Sequence, residues 1–431
     1  MVFRAHLDLS QEALASHLGV SVATVRRCET GKPISARVQA RLDALLVHTV
    51  AQMAPWLPAD KMRRMRRRDV LGFLATGMLL PLGEMDLLPI DGAPPRVGAA
   101  TLDSLEANVT ALAATVHTSS PKVLLPGTLT YLDQAYGLLG ASMSPDQQTR
   151  LQAILSDTAI FAGDLSFLSG QKGRAGAFLS FAERHARETD DPDLLAQALG
   201  SQALLSATIP TGGRSGDPQT SLKLLTQAVA LADRHAPHVV RAWLHAFLAT
   251  EHATAGDAYQ ADVHLDLAAQ ALQTAQTEGP VGSGYSSSAG VYALWDETRL
   301  DQFKGAAEMA AGRNVQAAQT FTRVLKGVRS PRKHADVLAD LGAVRVRQKH
   351  PEEAARLLSE AHTLSVAHDY TMGIQRVLGV RGRVPDHLAD LACMHTLDDQ
   401  LHSLTSREQP SRTRPQRVQW RGDEVVPFGH D

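Results

Sequence analysis

Apolar positions in the first fifty residues predict two short helices with one small shared core. Ser10 is a suitable N-cap for a helix from Gln11 to about Leu18, and Gly19 can adopt the left-handed conformation that ends it. Ser21 can cap a second helix that runs from Val22 to about Cys28. The apolar side chains that can converge between the two helices are Leu14, Leu18, Val20, Val25 and Cys28.

Further along the chain, the residue pattern predicts helices almost throughout from Thr101 to about Arg383. The helices come in pairs separated by short breaks rich in Gly, Asp or Pro. The breaks recur at intervals of 43, 43, 56 and 38 residues, and they lie near Gly170, Gly213, Gly256, Gly312 and His350. Paired helices with periods near 40 residues predict an α-solenoid. An unrelated helical bundle is the alternative.

A third feature is the stretch "KMRRMRRRDVLGFLATGMLLPLG", residues 61–83, a basic cluster followed by an uncharged run from Val70 to Leu82. It is similar to a twin-arginine export signal, but it follows a predicted domain and is too short to span a bilayer. We therefore expect Val70–Leu80 to form a connecting helix, followed by a linker. The arginines that could reinforce phosphate contact, or instead form a solvated helix face, are Arg66, Arg67 and Arg68.

The two N-terminal helices have the organisation of a helix-turn-helix. The helices are short, Gly19 begins the turn, and Ala15 lies where the second helix would cross the first. A helical hairpin in an ordinary core is the alternative. The segment "LSQEALASHLGVSVATVRRCETGK" resembles the lambda-repressor/Cro-type family, also called the xenobiotic-response-element family, and the resemblance extends over about Leu9–Leu46.

This resemblance implies that the second helix reads the major groove of DNA through Val22, Ala23, Thr24 and Arg26. Arginine can contact guanine with two hydrogen bonds, and the small apolar groups can meet thymine methyl groups. The residues expected near the phosphate backbone, or at the helix cap beside it, are Gln11, Ser21, Arg27 and Lys32. Residues 1–50 hold six Lys and Arg against four Asp and Glu, so a dimer would gain the phosphate contacts that one domain lacks.

The repeat region resembles tetratricopeptide repeats in the phrases "AGRNVQAAQTFTRVL" and "QKHPEEAARLLSEAHTLS". Here Ala317 and Ala354 would let paired helices approach closely. The second helix of a pair usually opens with Ala followed four positions later by Phe or Leu. We call the predicted helix-turn-helix domain the head and the predicted repeat domain the body. A chain with a head and a body of these two kinds resembles a group of bacterial transcriptional regulators, which commonly sense small peptides. Because the repeats contain only Asn314, with Asn108 before them, a peptide ligand is not assumed.

Composition narrows the class of protein. A chain of 431 residues exceeds one ordinary core, and a formal charge of −2 confines any nucleic-acid contact to a local patch. The two cysteines, Cys28 and Cys393, provide no disulfide framework, which is typical of a reducing interior. The N-terminus lacks the apolar segment of a secretory signal, and no stretch approaches the ~20 apolar residues of a spanning helix. We expect a cytoplasmic protein.

Candidate chemistry is sparse. His238, His245 and His252 are spaced by seven residues, about 10 Å apart along a helix, which is too far to share one metal ion. No metal site, cofactor site or catalytic motif is found, so an enzyme is not expected. Trp295, which follows a Gly- and Ser-rich insertion, is the candidate for the wall of a ligand pocket.

The sequence thus predicts an all-α protein: a small helix-turn-helix domain followed by a tetratricopeptide-like α-solenoid. We divide it into a DNA-binding domain (1–57), a basic connecting helix and linker (58–100), a repeat domain (101–403) and a disordered tail (404–431). The predicted function is a sequence-specific transcriptional regulator that binds duplex DNA as a homodimer. Its repeat domain would take a peptide, small-molecule or protein ligand and contact no membrane. The alternative is a protein–protein scaffold whose head only docks.

Overall fold

The computed structural model describes residues 20–22, 97–115, 119–207, 216–278 and 295–407. The chain divides into two compact units, Met1–Leu112 and Ala113–Asp431. In the described residues regular structure is entirely helical, which confirms the predicted all-α class. The helices are α1 (Ala99–Ala114), α2 (Pro121–Gly137), α3 (Pro145–Leu168), α4 (Lys172–Arg187), α5 (Pro192–Ser206), α6 (Pro218–His235), α7 (His238–Thr254), α8 (Ala258–Glu278), α9 (Glu297–Ala310), α10 (Asn314–Gly327), α11 (Pro331–Arg347), α12 (Pro351–Ala367), α13 (Thr371–Arg381), α14 (Asp386–Ala389) and α15 (Ala392–Arg407).

Many of these helices begin with proline at their first position, where its missing N–H removes no helical hydrogen bond. Side chains before the proline satisfy other first-turn amides. At the start of α3, Ser144 accepts from the N–H of Gln147, whose side chain accepts from the N–H of Ser144. Asp191 and Asp217 cap α5 and α6 in a similar way.

The body is built from five helix pairs: α3/α4, α5/α6, α7/α8, α9/α10 and α11/α12. The first helix of most pairs also packs against the first helix of the next pair, as α3 does with α5, α7 with α9, and α11 with α13. We call α3, α5, α7, α9, α11 and α13 the inner helices, and α4, α6, α8, α10 and α12 the outer helices. This arrangement confirms the predicted α-solenoid.

Three of the five pairs interlock through the same register. An inner-helix glycine faces a large apolar residue of the outer helix, sixteen positions later in the chain. A Cβ on these glycines would lie only 2.7, 2.7 and 3.1 Å from that side chain. The pairs are Gly163 with Leu179, Gly305 with Phe321, and Gly342 with Leu358. Hence each outer helix inserts a side chain where the inner helix has none.

The same pairs explain why the outer helices open with Ala followed four positions later by Phe or Leu, as the sequence predicts. In each case an alanine that is fully buried stands four residues before the large side chain, and these alanines are Ala175, Ala317 and Ala354. Small residues at these positions let the two helices approach closely. The prediction made for Ala317 and Ala354 is therefore confirmed by their burial.

Left-handed residues form the turn inside four of the pairs. Gly170, Gly256 and Gly312 have φ of +77°, +91° and +77°, and the corresponding position before α12 is Lys349, with φ +61°. Glycine adopts this conformation without the steric penalty that a Cβ brings. The predicted breaks near Gly170, Gly256, Gly312 and His350 are confirmed, whereas Gly213 lies outside the described residues.

The body turns back on itself, so that helices early in it, α2 and α3, meet the start of α13. Lys122 Nζ in α2 lies 2.7 Å from Asp369 Oδ1, in the turn before α13. Ser120 Oγ donates to the same carboxylate at 3.3 Å. At the end of α3, a Cβ on Gly170 would lie 2.8 Å from Thr371 Cγ2, at the start of α13.

One described helix, α3, is long and apolar enough to cross a membrane by length and composition, which the sequence analysis did not anticipate. However, 72% of its most apolar window is buried inside the protein. Helices of a protein core pass the same test of length and composition. The burial of α3 accounts for its apolar character without a lipid phase.

Gly305→Ala tests the interlock. Alanine improves helix propensity by about 1 kcal/mol, but its Cβ collides with the buried Phe321 ring, and such overpacking costs about 1–3 kcal/mol. We expect a net loss of about 1 kcal/mol in the free energy of unfolding, measured from urea transitions. The control is Gly173→Ala in α4, where a Cβ meets nothing within 4 Å and should stabilise. Equal effects of the two changes would contradict the interlock.

Candidate functional site

The described part of the head is residues 20–22. Ser21 is exposed and stands directly before Val22, whose backbone is helical, while Val20 and Val22 are half-buried. Ser21 thus occupies the position of a helix N-cap, the place from which the sequence predicts the second helix to start. The other predicted DNA contacts lie outside the described residues: Gln11, Ala23, Thr24, Arg26, Arg27, Lys32, Arg66, Arg67 and Arg68.

In the body, three histidine rings stack where α7 packs against α8. His264 of α8 lies between His245 and His252 of α7, with ring centroids 5.2 and 5.3 Å away. Nδ1 of His264 is 3.0 Å from Nδ1 of His245, and Nε2 of His245 is 3.1 Å from Asp233 Oδ1 at the end of α6. A continuous chain of polar contacts therefore connects α6, α7 and α8.

These contacts fit neutral rings. The Asp233 carboxylate only accepts, so Nε2 of His245 carries its proton and Nδ1 of a neutral His245 accepts from His264. Burial, followed by the neighbouring His245 and His252, lowers the pKa of His264 to about 4. Burial also lowers the pKa of His245, although Asp233 opposes this, and of His252, where Asp257 opposes it.

His238 stands apart from this stack, with its Nδ1 3.2 Å from Nη1 of Arg241. The seven-residue spacing along α7 therefore did not identify the cluster, because its central ring comes from the next helix. Among the residues that the structure describes, no group of three or more His, Cys, Asp or Glu side chains could hold a metal ion.

A second polar cluster lies on the inner helices, around α11. Arg376 Nη1 of α13 donates to both carboxylate oxygens of Asp340 at 2.9 Å, and its Nε is 3.6 Å from Asp336 Oδ1. The Tyr370 hydroxyl donates to Asp336 Oδ1 at 2.8 Å. Burial alone would lower the pKa of Arg376, but Asp340 and Asp336 raise it above its ordinary value. This part of the cluster is fully ion-paired.

Three further cations adjoin this paired part. Arg299 is in the first turn of α9, and Arg332 and Lys333 are in the first turn of α11. Arg299 donates to the Gln302 side chain and lies 5.7 Å from the centroid of the Phe303 ring. Burial, then Arg299, lowers the pKa of Lys333 to about 7, against the opposing effect of Asp336. Lys333 Nζ is 3.8 Å from Asp336 Oδ2, and 26% of its side chain is still exposed.

Helix α3 contributes a buried carboxyl group that interacts with this cluster. Burial raises the pKa of Asp164 to about 7, while the nearby Ser201 side chain of α5 and the charge of Lys333 lower it. Its Oδ1 is buried without a hydrogen-bond partner. Side chains 169 positions apart in the sequence, Asp164 and Lys333, thus interact across the interior of the body.

Trp295, the sequence candidate for a pocket wall, lies in an apolar cluster with residues of α5, α6 and α7. It is 8% exposed, and its ring centroid is 5.5 Å from that of Phe303. In the described residues it is a packing residue of this core. A role in ligand binding at Trp295 stays a prediction.

The cluster around α11 was not predicted from the sequence, although the sequence of α11 contains a pattern that indicates it. Charged residues recur at positions 332, 336 and 340, one helical turn apart, so they share a face of one helix. In an isolated surface helix such a stripe faces water. On an inner helix of a solenoid it faces the interior, and the three residues are 6%, 3% and 3% exposed.

Comparisons with known proteins identify the head. A family model described as a helix-turn-helix domain matches residues 2–56. The predicted helix-turn-helix head is thereby confirmed, while its lambda-repressor/Cro-type subclass stays a prediction. Among curated proteins no match to the chain was found.

Two solved structures are similar to larger parts of the chain. BtubC (BKLC) from P. vanneervenii has 16% identity and a TM-score of 0.36, covering 61% of this chain and 92% of its own. A Rap protein, complexed with competence and sporulation factor, has 12% identity and a TM-score of 0.44, covering 70% of this chain and 86% of its own. These similarities are distant, and the description of the body depends on its own packing.

His264→Gln tests the histidine stack. Because its folded pKa is about 4 and the unfolded value is near 6.5, the unfolded chain binds more protons between these pH values. The free energy of unfolding therefore decreases as pH falls from about 6.5 to 4. We expect the variant to lose less stability over this window, by on the order of 1–2 kcal/mol, in urea transitions at pH 7.5 and 4.5. His395→Gln, at an exposed position of α15, controls for the loss of a histidine, and a variant that keeps the wild-type pH dependence would contradict the assignment.

Proposed function

We propose that this protein is a sequence-specific DNA-binding transcriptional regulator. The observation that carries the proposal is the helix-turn-helix match over residues 2–56. In proteins of this architecture the second helix of the motif enters the major groove. Here that helix carries Arg26 and Arg27 in its predicted range, and Ser21 stands exposed at its start.

In this proposal the head acts as a pair. One head offers a net charge of +2 over residues 1–50, which neutralises few phosphates. Two heads in a homodimer would bind two half-sites and double the contact area. The lambda-repressor/Cro-type subclass and a cytoplasmic, bacterial setting belong to the same proposal.

The repeat body is the sensor and dimerisation domain in this proposal. A ligand that binds one arrangement of the body better than another would change the spacing or orientation of the two heads. Buried polar clusters on the inner helices support this role, because buried charges and histidines respond to bound ligands and to pH. No catalytic role is assigned to the body.

The DNA-binding proposal predicts the effect of Arg26→Ala with Arg27→Ala. Genomic fragments retained by the purified full chain are sequenced, and binding to the enriched sequence is measured by fluorescence anisotropy at fixed salt. Each arginine–base contact contributes about 1–3 kcal/mol, so we expect roughly 10- to 100-fold weaker binding by the variant.

The matched control removes two exposed arginines of the body, Arg187 and Arg356, whose side chains are 56% and 63% exposed. It makes the same change in net charge and should leave specific binding intact. Binding without sequence preference, or a head variant that binds as tightly as wild type, would refute the regulator. If the protein is instead a scaffold whose head only docks, the Arg26 and Arg27 variant should bind DNA as the wild type does.

A further inference from the structure

The cluster around α11 has more cations than its carboxylates pair. Asp340 and Asp336 are engaged by Arg376, and Asp336 also accepts from Tyr370. Among the described residues, neither Arg299 nor Arg332 has a carboxylate oxygen within the 4.0 Å of an ion pair. Within the described part of the chain, two guanidinium groups thus lie beyond ion-pair distance of a carboxylate. The charge of Asp336 acts on both, but Arg376 and Tyr370 already engage that carboxylate.

Of these two guanidinium groups, Arg332 has the clearer need for an anionic partner. It is 6% exposed, and its Nη1 is buried without a hydrogen-bond partner. A guanidinium cannot lose its charge at any ordinary pH, so it stays a buried cation. Removing such a charge from water is costly unless another group replaces the lost hydrogen bonds. An anion on Nη1 would provide that replacement.

The backbone at the start of α11 adds to the positive electrostatic potential of these side chains. Arg332 and Lys333 occupy the first turn of α11, a helix of 17 residues. The N-terminal end of a helix carries a partial positive charge and favours anions. Arg299 lies in the first turn of α9, and its charge acts on Lys333.

The cluster is also accessible. Lys333 keeps 26% of its side-chain surface exposed, although protein surrounds it on several helices. The charge of Lys333 also acts on Asp164 of α3. The anion site thus has an open cation, Lys333, beside a buried one, Arg332.

We propose that Arg299, Arg332 and Lys333 form a binding site for an oxyanion, the carboxylate or phosphate group of a small ligand. Arginine suits either group, because its planar fork donates two parallel hydrogen bonds. If the body is the sensor of a regulator, this site indicates that its ligand carries a carboxylate or phosphate group. Only this last step rests on the proposed function. Anion binding itself requires no DNA.

The test uses the full chain without DNA. Thermal unfolding and calorimetric titration are measured with sodium phosphate and with sodium succinate, each against sodium chloride at equal ionic strength. We expect at least one of the two anions to bind and to raise the unfolding temperature above the chloride reference. A response to phosphate alone assigns a phosphate ligand, and a response to succinate alone assigns a carboxylate.

The variant Arg332→Gln should bind the same anion at least about tenfold more weakly, because charge-assisted hydrogen bonds are lost. Its unfolding temperature without anion should not fall below that of wild type, since the unpaired buried charge is gone. Arg356→Gln removes an exposed arginine of the outer helix α12 and should bind the anion as wild type does.

Arg299→Gln and Lys333→Gln carry the same binding prediction if Arg332→Gln does not fold. The proposal is overturned if neither anion binds, or if all three variants bind as tightly as wild type. Stabilisation by anions that is equal in wild type and variants is the nonspecific salt effect and overturns it too. These results leave the DNA-binding proposal untouched, because that proposal is measured separately, without added anion.

Discussion

The repeat body depends on the contact between an inner-helix glycine and a large side chain of the outer helix. Gly163, Gly305 and Gly342 each leave the space that Leu179, Phe321 or Leu358 fills. Because both partners are in helices, this contact sets the distance and the rotation of the inner helix relative to its outer helix. One face of the inner helix is thereby committed to its partner. The other faces of the inner helix are left for contacts with neighbouring repeats and with the interior of the body.

The inward faces therefore determine what the interior contains. On α11 that face carries Arg332, Asp336 and Asp340, and on α3 it carries Asp164. Neither helix alone could bury these charges. Arg376 and Tyr370, on and just before α13, compensate the burial of Asp336 and Asp340, whereas Arg332 Nη1 and Asp164 Oδ1 keep no hydrogen-bond partner among the described residues. The interior is thus a polar site assembled from distant repeats.

Much of the fold could be predicted from sequence, because its determinants are local. The breaks at Gly170, Gly256 and Gly312 and the spacing of Ala317 from Phe321 are short-range patterns. The candidate sites are different in kind. His264 joins the stack from the neighbouring helix, and Asp164 meets Lys333 from a remote repeat. No pattern within one helix carries that information, since it depends on how the solenoid turns.

The starts of α11 and α12 show where local rules are broken. Both helices begin with proline, but α12 then has Glu352 and Glu353, which favour the positive end of its helix dipole. In α11 the equivalent positions are Arg332 and Lys333, which oppose that dipole, and burial lowers the pKa of both. In most proteins the local preferences of a sequence, such as helix capping and dipole charges, agree with its fold, and exceptions concentrate at functional sites. Asp336 opposes these penalties only in part, because Arg376 and Tyr370 already engage it, whereas a bound anion would reverse both at the start of α11.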